Sequence, residues 1–341
     1  MGDIIDIHVH FGVPANNQND CYWSEKFEQQ LAYLFLKLSW CALFKKLTAQ
    51  DIEKILIGAV TKAKKVDKCV LLAMDKVYDL NGNIKQPERE TTHLYVPNSY
   101  IIGLKEKYTQ ILFGASVHPY RPDWKQELEY CLQNGARLCK WIPSSQQIDL
   151  TNEKCIPVYE FLASHNLPLL VHSGPEYTIP TSDDHYIEMN NPKYLRTALD
   201  MGVTVIVAHC ALPYFGELDS KYLDDLDEFY KLIEESKTKN WKLYADVSAL
   251  AEPFRNEYVP EIKQRIPYDR LLFASDYPLP ASELSYKKSK NIFRWLKLAS
   301  RIFSIKNPID KNYFVIKKMG FDKTIFTNAS ELFEKIIRNS E

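Results

Sequence analysis

Several features are missing from this 341-residue sequence, and each absence removes a class of function. Seven cysteines are scattered without a CxxC pair, which argues against a thiolate zinc site and against a disulfide framework. A reducing, cytoplasmic setting is therefore expected. Charge of one sign is not in excess. Forty-three Lys and Arg stand against 44 Asp and Glu, a formal net charge of -1, so no bulk field draws the chain to nucleic acid or to an anionic membrane. No basic region followed by an apolar run precedes Asp3-Ile4-Ile5-Asp6-Ile7, so no secretory leader is expected. The most apolar later stretch, Leu31 to Leu47, is interrupted by Lys37, Lys45 and Lys46 and reads as a helix with one greasy face, not a membrane span. No repeat, low-complexity tract or interdomain linker appears. No Gly-rich phosphate cradle is seen either, which counts against a phosphoesterase. What remains is a small-molecule partner.

What is present is alternation. Hydrophobic residues make up 45% of the chain and aromatics 13%, enough for a large core. Eight short apolar, β-branched runs predict strands at Ile4–His10, Lys68–Met74, Ile111–His118, Ala136–Ile142, Pro168–His172, Thr204–His209, Lys242–Val247 and Arg270–Ser275. Amphipathic stretches between or after them supply outer helices, and Ser330–Arg338 a closing one. Strands so continuously apolar need cover on both faces. The expectation is an α/β fold, a (β/α)8 TIM barrel with long βα-loop insertions, in a single domain over residues 1–341.

Three insertions, Phe11–Thr48, Asp75–Tyr95 and Gly174–Asn191, follow the C-terminal ends of strands one, two and five, where barrel enzymes build their pockets. The first carries Tyr22, Trp23, Phe27, Tyr33, Phe35, Trp40 and Phe44. Residues 11–48 are read as a helical insertion that serves as a lid over the mouth, packs on the rim or forms a contact in a homo-oligomer.

The chemistry collects at strand ends. His8 and His10 are two apart on the first strand and point the same way, as two imidazoles on one metal ion must. His172 ends the fifth strand, His209 the sixth and Asp276 the eighth, so all five converge on one mouth. This ordered set resembles the amidohydrolase superfamily, specifically its amidohydrolase-2 branch of metal-dependent hydrolases and decarboxylases. The matching phrases are Asp6-Ile7-His8-Val9-His10-Phe11-Gly12, Pro168-Leu169-Leu170-Val171-His172-Ser173-Gly174, Ala208-His209-Cys210, Arg270-Leu271-Leu272-Phe273-Ala274-Ser275-Asp276-Tyr277-Pro278 and Asn328-Ala329-Ser330-Glu331-Leu332-Phe333.

The resemblance implies that His8, His10, His172 and Asp276 ligate one divalent cation, with zinc as first choice beside manganese and iron. An open coordination position would hold water, whose pKa zinc can lower to about 7. Asp276 would then accept and return a proton. His209 would orient that water, polarise the substrate or bind a second ion. Lys140, at the end of the fourth strand, stands where two-metal members carry a carbamylated lysine. Its other reading is an ammonium that meets a substrate carboxylate or an acid.

Further candidates for substrate contact are His118, at the end of the third strand, with Arg121 nearby to grip an anion, and Glu176 in the loop after strand five. Arg255 and His185 read as solvated surface residues, and no role is expected for His93 or His165. The leading expectation is metal-assisted hydrolysis of a C–N or C–O bond in a cyclic amide, ester or lactone. The alternatives are decarboxylation or hydration of a carboxylated aromatic, and a non-catalytic binding barrel.

Overall fold

Runs of Val, Ile and Leu hidden on both faces can be satisfied by a sheet that wraps around its own side chains and is clad in helices. A computed structural model of the chain shows this arrangement, describing residues 2–16, 19–30, 33–34, 36–37, 47–181, 184–213, 223–252, 255–282 and 292–338. Eight strands form one sheet: β1 (Ile5–His10), β2 (Lys68–Leu72), β3 (Ile111–Ala115), β4 (Ala136–Trp141), β5 (Leu169–Val171), β6 (Val205–Val207), β7 (Leu243–Asp246) and β8 (Leu271–Leu272). Neighbours in the chain are parallel neighbours in space.

The ends of the sheet meet. Val9 bridges Tyr277, Asp276 N–H donates to His8 O at 2.9 Å, and His10 N–H donates to Tyr277 O at 2.8 Å. The sheet thus closes as a barrel, as expected, with shorter strands. β8 has only two residues because the Phe273 N–H turns away to Ile325 O at 2.9 Å.

Two apolar clusters show the period of two that a closed sheet requires. In β2, Val70 and Leu72 belong to the inner cluster, whereas Cys69 and Leu71 belong to the outer one that packs against the helices. Ile5, Ile7, Leu138, Leu170, Ile206 and Leu272 complete the inside. Gly114 of β3 lies in this interior because a Cβ there would stand 2.6 Å from Leu72 and 2.9 Å from Val70. The helix Asn328–Arg338 adds Ala329, Leu332 and Phe333 to the inner cluster. Ser330 lies against Gly2, which puts this helix under the N-terminal end of β1 as a plug.

Outer helices occupy Ala49–Thr61, Asn98–Lys107, Trp124–Gln133, Ile156–Ser164, Leu223–Lys239, Val259–Arg265 and Ile292–Ser304. Ala49–Thr61 opens with a capping box in which the Thr48 and Asp51 side chains satisfy each other's amides. The helix Pro308–Lys318 was not expected from the periodicity. Its signal is Asn307-Pro308, an N-cap whose side chain accepts from Ile309 and Asp310 N–H, followed by proline at the first helical position.

In the first insertion, Tyr22–Trp23 pairs antiparallel with Leu94–Tyr95, tying that insertion to the second. Residues 38–46, with Trp40 and Phe44, and also Phe35 lie outside the described residues, as does most of the expected Leu31–Leu47 helix. No helix among the described residues is long and apolar enough to cross a membrane.

Candidate metal centre

The alternation that fills the barrel also aims its mouth. Leu138 faces inward, so Lys140, two residues on, does too. The same step takes Leu170 to His172, Tyr244 to Asp246, and Leu272 through Ala274 to Asp276. Above the apolar layers the interior therefore becomes polar. β1 obeys the rule only through an irregularity: Asp6 pairs with Cys69 but Val9 pairs with Leu71, three residues against two. This bulge places both Ile7 and His8 opposite Val70 and lets His10 pair with the inward Leu72. Without it, the inward parity of Ile5 and Ile7 would carry on to Val9 and turn both histidines outward.

Three ligand atoms converge. His8 Nε2 lies 3.1 Å from His10 Nε2 and 3.5 Å from Asp276 Oδ1, and His10 Nε2 lies 3.2 Å from the same oxygen. His8 and Asp276 are buried, whereas the His10 side chain keeps 25% exposure toward the cavity it lines. Lys140 Nζ is 3.3 Å from His8 Nε2 and is itself buried. His172 stands outside the trio. Its Nδ1 is 3.1 Å from His209 Nε2 and 3.3 Å from Glu176 Oε2. Asp276 and His209 both hold a left-handed backbone, with φ of 60° and 38°, a costly conformation outside glycine that concentrates at functional sites.

The donor set suits a divalent cation. Burial, and then the Lys140 ammonium, push the His8 imidazole below its ordinary pKa. Burial likewise pushes His172 down to about 4, and burial with Arg255 and His172 pushes His209 well down. Neutral imidazoles offer the lone pairs that metal binding needs. Burial raises the Asp276 carboxyl, but His8, His10 and His209 outweigh it and hold it well below the carboxylate range. Burial lowers Lys140 to about 8 against the pull of Asp246, Asp276 and Glu176. His209 Nδ1 is buried without a hydrogen-bond partner among the described residues. A buried, unpaired polar atom is expensive unless something else fills the role.

A cavity opens above these groups. Its polar floor includes His10, His172, His209, Glu176, Arg255 and Asp276. The walls are apolar: Phe11, Trp23, Phe27 and Leu36 from the first insertion, Leu94 from the second, and Ile179 from the third.

Other expected residues are distributed unevenly. Glu176 lines the cavity, and its Oε1 accepts the Thr178 and Ile179 amides. His118 is not among the lining residues; its Nε2 meets Gln146 O at 2.9 Å and its Nδ1 accepts Tyr120 N–H at 3.1 Å, so both ring nitrogens serve the backbone. Arg121 bonds Asp75, Asp123 and Glu127 and lines a separate polar cleft. His93 bonds Ser24 and His165 stacks on Phe161; the His185 side chain lies outside the described residues.

Two residues that sequence reasoning undervalued stand at the centre. Arg255, read as a solvated side chain, is buried in the cavity lining. Asp246 bonds His8 Nδ1 at 2.9 Å and the His209 amide at 2.7 Å. The available signal was an acid at the end of strand seven, the same logic that singles out Asp276.

A parallel barrel whose C-terminal mouth gathers imidazoles around a carboxylate defines a metal-dependent barrel enzyme. The family model described as amidohydrolase matches residues 5–303, and the chain belongs to this family of metal-dependent enzymes. No curated protein matches the sequence. Among solved structures it is similar to a probable 2-pyrone-4,6-dicarboxylic acid hydrolase from Acinetobacter baumannii with citric acid bound, at 14% identity, 97% of this chain and 99% of that one, and a TM-score of 0.56. A putative hydrolase of the same description from Pseudomonas putida matches at 14% identity over 98% of both chains, with a TM-score of 0.54. A 5-carboxyvanillate decarboxylase from Novosphingobium aromaticivorans, with bound manganese, matches at 13% identity over 98% of this chain and 97% of that one, with a TM-score of 0.53. At such identities the likeness shows the fold.

Proposed function

We propose that the chain is a metal-dependent hydrolase that cleaves a C–N or C–O bond in a small carbonyl compound such as a cyclic amide, ester or lactone. The observation that carries this reading is the convergence of His8 Nε2, His10 Nε2 and Asp276 Oδ1 at the floor of an apolar-walled cavity. These three would hold a divalent cation with His172 as a fourth ligand; zinc is our first choice, and manganese is the ion in one structural neighbour. When bound, such an ion supplies a Lewis acid and lowers the pKa of a water, to about 7 for zinc in favourable sites.

The chain's own groups supply the rest. Asp276 takes a proton from the attacking water and returns it to the departing nitrogen or oxygen. His209 Nδ1, buried without a hydrogen-bond partner among the described residues, meets the substrate carbonyl or a second ion. Lys140, were it to form a carbamate, would supply an anionic ligand and help hold a second ion; as an ammonium it would face a substrate carboxylate. Glu176 holds the loop after β5 against His172 and touches substrate from the cavity floor. We assign no substrate contact to His118 or Arg121, whose polar atoms face the backbone and three carboxylates. We treat residues 1–341 as one catalytic unit, with Trp23, Phe27 and Leu36 of the first insertion covering the mouth.

A second reading, decarboxylation or hydration of a carboxylated aromatic, is favoured by Arg255 in the lining of the same cavity as Phe11, Trp23 and Phe27. Elemental analysis after expression with and without bicarbonate tests both. About two metal equivalents that rise with bicarbonate support the carbamylated, hydrolytic version; about one directs assays to lactones and aromatic carboxylates alike. No metal, even after reconstitution, ends both.

A further inference from the structure

We infer that Asp246 is the positioning residue that makes His8 a ligand, by keeping the imidazole proton on Nδ1 and leaving the Nε2 lone pair bare toward His10 and Asp276. The inference rests on the metal-centre reading above and concerns the carboxylate beneath it, at the end of β7.

Asp246 is fully buried and both of its oxygens are engaged. Oδ1 accepts the His209 amide at 2.7 Å, the Ser248 amide at 3.0 Å and the Ser248 hydroxyl. Oδ2 lies 2.9 Å from His8 Nδ1. A carboxylate among so many donors has no hydrogen to give, so the hydrogen on this contact belongs to Nδ1. Ser248 Oγ, 3.5 Å from Nδ1, directs its own hydrogen to Asp246 and likewise presents only a lone pair there. A neutral imidazole carries one N–H, so Nε2 is left bare where it faces His10 Nε2 and Asp276 Oδ1. The same carboxylate also pins the amide of His209, whose backbone is left-handed there. One side chain from β7 thereby sets a ring on β1 and a turn after β6.

Asp246→Asn separates this role from packing. The amide is nearly isosteric, and its oxygen can keep the His209 and Ser248 hydrogen bonds. Its NH2 then faces His8 Nδ1, which must become the acceptor. The imidazole proton moves to Nε2, into the position a cation would use.

The test has two readouts that need no substrate. In long-range 1H–15N spectra of the metal-free protein, His8 is expected to be protonated on Nδ1, and on Nε2 in Asp246→Asn. Competition with a chromophoric chelator is expected to show Zn2+ affinity at least tenfold weaker in Asp246→Asn, with circular dichroism unchanged. Ser248→Ala, which keeps the carboxylate, is expected to bind Zn2+ within about threefold of the unaltered protein. The inference is overturned if the unaltered protein carries the His8 proton on Nε2, if Asp246→Asn binds as tightly as the unaltered protein, or if Ser248→Ala loses as much affinity. Should Asp246→Asn fail to fold, the unaltered protein's spectrum still decides. An unaltered protein that binds no metal ends the functional reading, while the tautomer spectrum judges Asp246 independently.

Discussion

Burial pushes the His118 imidazole down to about 3 from an ordinary 6.5, and both of its nitrogens are committed to the backbone. The folded chain therefore binds fewer protons at this site than the unfolded chain between those two values. Stability from this group is complete above pH 6.5 and is lost as pH falls toward 3, by up to about 1.4 kcal/mol per pH unit. Urea denaturation of His118→Asn at pH 7, 6 and 5 is expected to show a shallower decline than the unaltered protein. The converging groups behave differently. His8→Ala and Asp276→Ala are each expected to retain far-ultraviolet circular dichroism but lose bound metal on elemental analysis. Full metal and full turnover in either would defeat the site. Arg255→Met is expected to weaken binding of carboxylated ligands about 10-fold or more with little change for uncharged lactones, since a buried charge-assisted pair contributes roughly 1.5–3 kcal/mol. Equal effects on both ligand classes would remove Arg255 from recognition.

At the scale of single elements, the apolar strand runs and the HxH spacing were legible because period and chemistry are local. Which face His8 and His10 take was not. The bulge that turns them inward exists only in the pairing of β1 with β2, where Ile7 and His8 share Val70 as partner. Asp246 went unread for a similar reason: its value lies in meeting His8, 238 residues away. The interior has an equally local test. Gly114→Ala forces a methyl against Leu72 and Val70, and an overpacking cost of about 1–3 kcal/mol is expected in urea denaturation. An unchanged midpoint would mean that β3 does not pack there as described.

Over the whole molecule, metal binding and folding should be linked, because three of the proposed ligands, His8, His10 and Asp276, come from β1 and from the segment after β8, and the barrel closes between those two. Zn2+ or Mn2+ at about 100 times its Kd is expected to add about 2.7 kcal/mol. That corresponds to a thermal midpoint about 4 °C higher for a chain of this size. Chelation should reverse the shift, and its absence would mean that the ion does not prefer the folded chain. By itself the sequence determined the alternation of strand and helix, the long insertions at one face, and the histidines and aspartate at strand ends, because each depends on neighbours in the chain. The tertiary structure decided that Arg255 lines the cavity and Asp246 meets His8, that His118 bonds the backbone and Arg121 three carboxylates, and that Phe11, Trp23, Phe27 and Leu36 wall the cavity. Those outcomes depend on barrel closure and register, which bring distant residues within hydrogen-bonding distance and which no local spacing records.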